Sequence, residues 1–183
     1  MTSITRDPLL AAAKGILWFL MGVMLVGAVA CVVAMPAMLL LQDNITIQLG
    51  KDAPTVPVPT LLWALAGLLV FVIALLLVLF RIFQLLKRIV STVGEGDPFV
   101  PENATRLTQM AWLTLAVQLV TLPISGFADW IDEAFADAPE VHSDITINAG
   151  LSGNGLLLML ILFILARVFR KGAAMRAELE GTV

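Results

Sequence analysis

Charge is scarce in this chain, and it is missing where chemistry inside a membrane would need it. Only 14% of the 183 residues are charged, against about 25% in an ordinary soluble domain, while 60% are hydrophobic and the mean hydropathy is +0.97. No Asp, Glu, Lys, Arg or His falls in the central part of the apolar runs 16–41, 61–80, 111–127 and 150–166. Ionisable groups at membrane depth mark proton and ion pathways, so their absence argues against an ion-coupled transporter. Haem-carrying bundles need axial ligands such as histidine, yet the one histidine, His142, lies outside the runs. There is no His-Glu-x-x-His helix for zinc and no acid or base for an intramembrane hydrolase. The lone cysteine, Cys31, excludes an intramolecular disulfide and a cysteine-pair redox relay. His142 stands among Asp137, Glu140 and Asp144, but the spacing matches no ligand pattern and reads as a solvated acidic loop. The expectation is a protein that is not an enzyme and holds neither cofactor nor metal.

What is present is hydrophobic length. A hydrocarbon core about 30 Å thick needs about 20 helical residues, which the first two runs supply by themselves. The third and fourth reach that length with Leu107, Thr108 and Met110 on one side and, beyond a snorkelling Arg167, Val168 and Phe169 on the other. The fold class expected is therefore an all-α membrane protein, a single domain over residues 1–183 with spans at about 16–41, 61–80, 108–127 and 150–169. The first run is too long for a cleaved signal peptide and reads as a retained helix.

Basic residues orient the spans. Arg6 and Lys14 precede the first, Arg81, Lys87, Arg88 and Arg106 lie between the second and third, and Arg167, Arg170, Lys171 and Arg176 follow the fourth. Only Lys51 lies opposite. The positive-inside rule then puts both termini and the loop 81–107 in the cytoplasm and the loops 42–60 and 128–149 outside. Trp18 and Trp112 fall at the inner interface and Trp63 and Trp130 at the outer one, as aromatic belts require. The basic inner face suits the anionic headgroups of membrane lipids.

Local signals add detail. Asp7-Pro8 resembles an N-cap followed by proline at the first helical position. Residues 81–93 keep an apolar stripe of Ile82, Leu85, Leu86, Ile89 and Val93 between basic residues, so the second helix continues past the membrane. It ends near Gly94 in Gly94-Glu95-Gly96-Asp97-Pro98, and a new helix begins at Pro101, which makes 81–107 a cytoplasmic helical hairpin. The tail, residues 170–183, leaves the fourth span as helix. Asn44-Ile45-Thr46-Ile47-Gln48 echoes Asp144-Ile145-Thr146-Ile147-Asn148 with the alternation of a strand. That pattern allows the outer loops to pair as a small β-hairpin or sheet, although convergent interface composition explains it equally well. Gly22, Gly27, Ala30 and Ala34 would let the first helix approach a neighbour closely, and Pro123 would bend the third.

In the third span Thr114, Gln118, Thr121 and Ser125 recur on one helix face. Such a face belongs inside the bundle, either as interhelical adhesion or as a site for a small polar ligand.

Gly96-Asp97-Pro98-Phe99-Val100-Pro101-Glu102-Asn103-Ala104-Thr105-Arg106-Leu107, with Ala166-Arg167-Val168-Phe169-Arg170 and the ending Glu178-Leu179-Glu180-Gly181-Thr182-Val183, resembles a bacterial membrane family known as domain of unknown function 2975. The resemblance implies a multi-pass protein of the bacterial cytoplasmic (inner) membrane. Because members of that family often sit beside a gene for a small helix-turn-helix regulator, it also implies a partner that tethers or inhibits such a cytosolic regulator. It supplies no catalytic residues. Candidate contacts for the regulator are Lys87, Arg88, Asp97, Pro98, Phe99, Arg106, Arg170, Lys171 and Arg176. The rival account is that these charges only anchor helices at headgroups. With ten basic against six acidic residues inside and no recognition helix, direct binding of nucleic acid is not expected. A carrier or channel for a small solute, as a homo-oligomer, and a purely structural membrane protein remain alternatives.

Overall fold

Proline opens two of the long helices of this protein, as its fixed φ and missing N–H make it suited to a first turn. The computed structural model describes residues 8–44, 47, 58–134 and 152–180. Its long helices are α1, Pro8–Leu40; α2, Val58–Gly94; α3, Pro101–Ala134; and α4, Gly153–Glu180. Pro8 and Pro101 stand at the first position of α1 and α3, where the sequence places them, and α2 starts at Val58, ahead of the expected 61. The helices continue through Pro36 and Pro123. Among the described residues no strand occurs. Residues 42–44 and 47 are helical, past the turn at Leu41 that ends α1, so the first strand-like echo does not begin as a strand; helical geometry wins over alternation there. Its counterpart at 144–148, His142 and the acidic loop around it lie outside the described residues.

Three helices, Pro8–Leu40, Pro59–Gly94 and Pro101–Ile131, are long and apolar enough to cross a membrane. At about 1.5 Å per residue each exceeds the roughly 30 Å of a hydrocarbon core. Their surface is inverted relative to a soluble protein: Phe19, Val26 and Leu40 on α1 and Trp63 and Leu77 on α2 are all more than half exposed. A soluble monomer does not present apolar surface of this extent, whereas hydrocarbon accepts it.

The helices pack in chain order, α1 on α2, α2 on α3 and α3 on α4. Side-chain contacts show an up-and-down arrangement. Lys87 lies over Trp18 and Leu76 against Gly27; Thr92 pairs with Asn103 and Phe71 with Phe127; Gln118 pairs with Ser152 and Phe99 meets Gly172. One end of the bundle thus collects the start of α1, the α2–α3 turn and the C-terminal half of α4. This basic end carries Lys14, Arg88, Arg106, Arg170 and Arg176.

α4 is offset from the others. Its N-cap, Ser152, is level with Gln118, and α3 runs on from there to Ala134, about 24 Å further. Packing is tightest toward the basic end, where Leu85, Ile89, Leu107, Met110, Ala111, Leu162 and Ala166 form the core. The apolar stripe of residues 81–93 supplies Leu85 and Ile89 to that core, and Ile82 and Leu86 pack around it; Val93 does not, being 41% exposed at the helix end. On α1 the small-residue reading needs correction. Gly22, Ala30 and Ala34 are exposed, and close approach occurs at Gly27 and the buried Ala28. The rotation of α1 is set by Leu17, Met21 and Met38, which share the face of Ala28 and bury more apolar area.

Candidate functional site

The turn between α2 and α3 is built by backbone hydrogen bonds before any side chain acts. Asp97 N–H donates to the Thr92 carbonyl (3.1 Å) and Gly96 N–H to that of Val93 (3.1 Å), the paired bonds of a Schellman ending. Gly96 has φ +85°, which a side chain would disfavour. The chain then passes through Pro98 into Pro101, where α3 begins.

Asn103 locks this turn. It is fully buried, and its Nδ2 donates to the Thr92 hydroxyl (2.8 Å) and to the Pro98 carbonyl (2.9 Å), while its Oδ1 accepts from Arg106 Nη1 (2.7 Å). The Thr92 hydroxyl in turn donates a hydrogen bond to the Ile89 carbonyl (2.8 Å). A buried amide with both ends engaged avoids the cost, about 1–3 kcal/mol, of an unmet polar group. Two further contacts dock the turn on α4. Phe99 packs on Phe169, centroids 5.3 Å apart, and sits so close to Gly172 that a Cβ there would lie 2.7 Å from the Phe99 ring. Asp97 pairs with Arg176 across the surface, both side chains over a third exposed.

Several residues expected to face a partner are therefore engaged within the chain. Asp97 and Arg176 hold each other, Phe99 holds α4, and Pro98 and Arg106 bind Asn103. Lys87 places its ammonium 3.8 Å from the ring centre of Trp18, a cation–π contact joining α2 to α1. Arg88, Arg170 and Lys171 are exposed. Asn103, Thr92 and Gly172 are the residues that sequence reasoning did not single out. The available signal was the position of Asn103 one turn before Leu107 on the buried face of α3.

The polar face of α3 divides. Thr114, Thr121 and Ser125 donate to the carbonyls of Met110, Gln118 and Leu122 on their own helix. Gln118 alone reaches another helix: its Nε2 donates to the Ser152 carbonyl (3.0 Å) and its Oε1 accepts from the Ser152 N–H (3.3 Å). Ser152 in turn caps α4 by accepting the Gly155 N–H on its hydroxyl (3.1 Å). Of this face, Gln118 is the residue that joins α3 to the start of α4 among the described residues. Among the described residues no group of three His, Cys, Asp or Glu is placed to hold a metal.

Long apolar helices with lipid-facing surfaces and a polar, clamped end define a multi-pass membrane protein. The model of a family described as protein of unknown function (DUF2975) matches residues 44–183. The chain belongs to that family. No curated protein and no solved structure matches it.

Proposed function

We propose that this protein is a non-enzymatic partner, a tether or inhibitor, of a cytosolic helix-turn-helix regulator, held in the bacterial cytoplasmic membrane. In this reading the chain has four spans with both termini inside, and 81–107 is a cytoplasmic helical hairpin. Support comes from the distribution of basic residues and from the gathering of the α1 start, the α2–α3 turn and the end of α4 at one end. The observation that carries the reading is the clamped turn. Asn103, Phe99 and the Asp97–Arg176 pair hold a polar loop in one conformation on α4, so the surrounding surface is ordered before a partner arrives and loses little entropy on binding. Exposed Arg88 is the basic contact offered there.

The test is co-purification from the native host with identification of bound cytosolic proteins, together with transcript profiling after deletion. Recovery of a small helix-turn-helix protein whose targets change on deletion is the expected result. Absence of both would end this reading. A reporter fused to the C-terminus should be active only in the cytoplasm.

The carrier alternative rests on the buried Gln118. Because that amide is spent on Ser152, a solute would have to displace it. Solute flux in liposomes that disappears in Gln118→Leu with stability retained would favour the carrier.

A further inference from the structure

The groove between α3 and α4 at the basic end is a cleft of about 570 Å³ lined by Thr108, Phe163, Ala166, Arg167, Arg170, Lys171 and Ala174. Its two halves differ in chemistry. Phe163 and Ala166 form an apolar floor, and Phe163 continues into Trp112, whose ring meets it edge-on at 5.5 Å. Beyond them Arg167, Arg170 and Lys171 line the same groove, opposite Thr108 of α3, whose hydroxyl donates to the Ala104 carbonyl (2.9 Å). Among the described residues no carboxylate lines it. None of these three cations forms an ion pair among the described residues, in contrast to Arg176, which has Asp97.

We infer that this cleft binds the phosphate of an anionic phospholipid, with Arg167, Arg170 and Lys171 on the headgroup and Phe163 beside the first part of an acyl chain. The chemistry is that of a phosphodiester: unpaired guanidinium groups match its oxygens geometrically, and Lys171 adds a point charge. Lipid is favoured over free phosphate because the cleft is apolar at one end and opens beside Leu160, Ile164 and Val168, which are exposed on α4. Its depth is also right. Trp112 is 60% exposed beside the floor, and exposed tryptophan marks the headgroup boundary, so the cationic half lies at headgroup level. The site is independent of any regulator. It withdraws Arg170 and Lys171 from the surface available to a protein.

Native mass spectrometry of the full-length protein in detergent, titrated with phosphatidylglycerol and with phosphatidylcholine, tests this. The wild type should retain phosphatidylglycerol at roughly tenfold lower concentration than phosphatidylcholine. The variant Arg167→Gln/Arg170→Gln/Lys171→Gln should lose that preference, and Lys87→Gln/Arg88→Gln, on α2, should keep it. Ala174→Leu changes no charge and fills the cleft from an exposed position; it should also weaken retention, which guards against misfolding of the triple variant. Equal preference in all variants would overturn the site. Displacement of the lipid by millimolar inorganic phosphate would assign the cleft to free phosphate and overturn the lipid.

Discussion

Gln118 and Ser152, 34 residues apart, pair amide to backbone as two strands would, N–H to C=O and C=O to N–H. The contact fixes where α4 begins. A helix start leaves N–H groups without helical partners, and in an apolar layer they must be met by protein. Gln118 accepts the Ser152 N–H and the Ser152 hydroxyl accepts the Gly155 N–H, two of those groups.

Replacing Gln118 by Leu should lower stability by about 1–2 kcal/mol, the range between typical interhelical polar contacts in membranes and unmet buried backbone groups. Thermal unfolding in detergent would read this as a lower Tm, and amide exchange should quicken in the first turn of α4. Thr121→Val and Ser125→Ala, whose hydroxyls bond only their own helix, should each change stability by less than about 0.5 kcal/mol.

An added Cβ on Gly155 would overlap the Gln118 amide, so a side chain there must push that amide off its Ser152 partners. Gly155→Ala should therefore destabilise despite its better helix propensity. In the double variant Gly155→Ala/Gln118→Ala the clash is gone, and a double-mutant cycle should show coupling of about 1 kcal/mol or more. Additive losses would mean the two residues do not meet.

Asn103→Asp keeps the shape of the side chain and removes its donor. The carboxylate cannot donate to the Thr92 hydroxyl or the Pro98 carbonyl, and its charge-assisted bond from Arg106 offsets only part of that loss, so about 1–2 kcal/mol is expected. Limited proteolysis at the α2–α3 turn should accelerate in parallel. Gly96→Ala, which forces a side chain into left-handed geometry, should cost about 1 kcal/mol.

Phe99 and Asp97 both dock the turn on α4, but with unequal strength. Phe99→Ala removes a ring that packs on α4 while 41% exposed and should cost about 1–2 kcal/mol, whereas Asp97→Asn breaks an exposed ion pair worth at most about 1 kcal/mol. Denaturation in detergent distinguishes them. In a Cys31→Ser background, cysteines at 97 and 176 joined by a short bifunctional thiol reagent should cross-link less when Phe99 is Ala.

Much of the architecture was legible because its signals are local. Pro8 and Pro101 as helix starts and Gly94-Glu95-Gly96 as a stop depend on backbone geometry within a few residues, and they survive into the fold. The stripe through Leu85 and Ile89 was also readable, since burial follows the helical period. The strand-like alternation at Asn44 and the small residues Gly22, Ala30 and Ala34 misled, because alternation and side-chain size describe what a segment can do and not which neighbour it meets. The charged and aromatic candidates Asp97, Phe99, Arg106 and Arg176 were legible as a cluster. In the fold Asp97 pairs with Arg176, Phe99 with Phe169 and Arg106 with Asn103, pairings that no spacing rule reveals.

The amino-acid sequence by itself determined that this chain forms long apolar helices, where two of them begin, where α2 stops and which end is basic, since each follows from length, periodicity, proline, glycine and charge within short windows. Only the tertiary structure decided that Asn103 locks the turn, that Gln118 sets the offset of α4, and that three unpaired cations line one cleft. Those outcomes depend on the rotation and relative height of separate helices, which packing sums over many weak contacts.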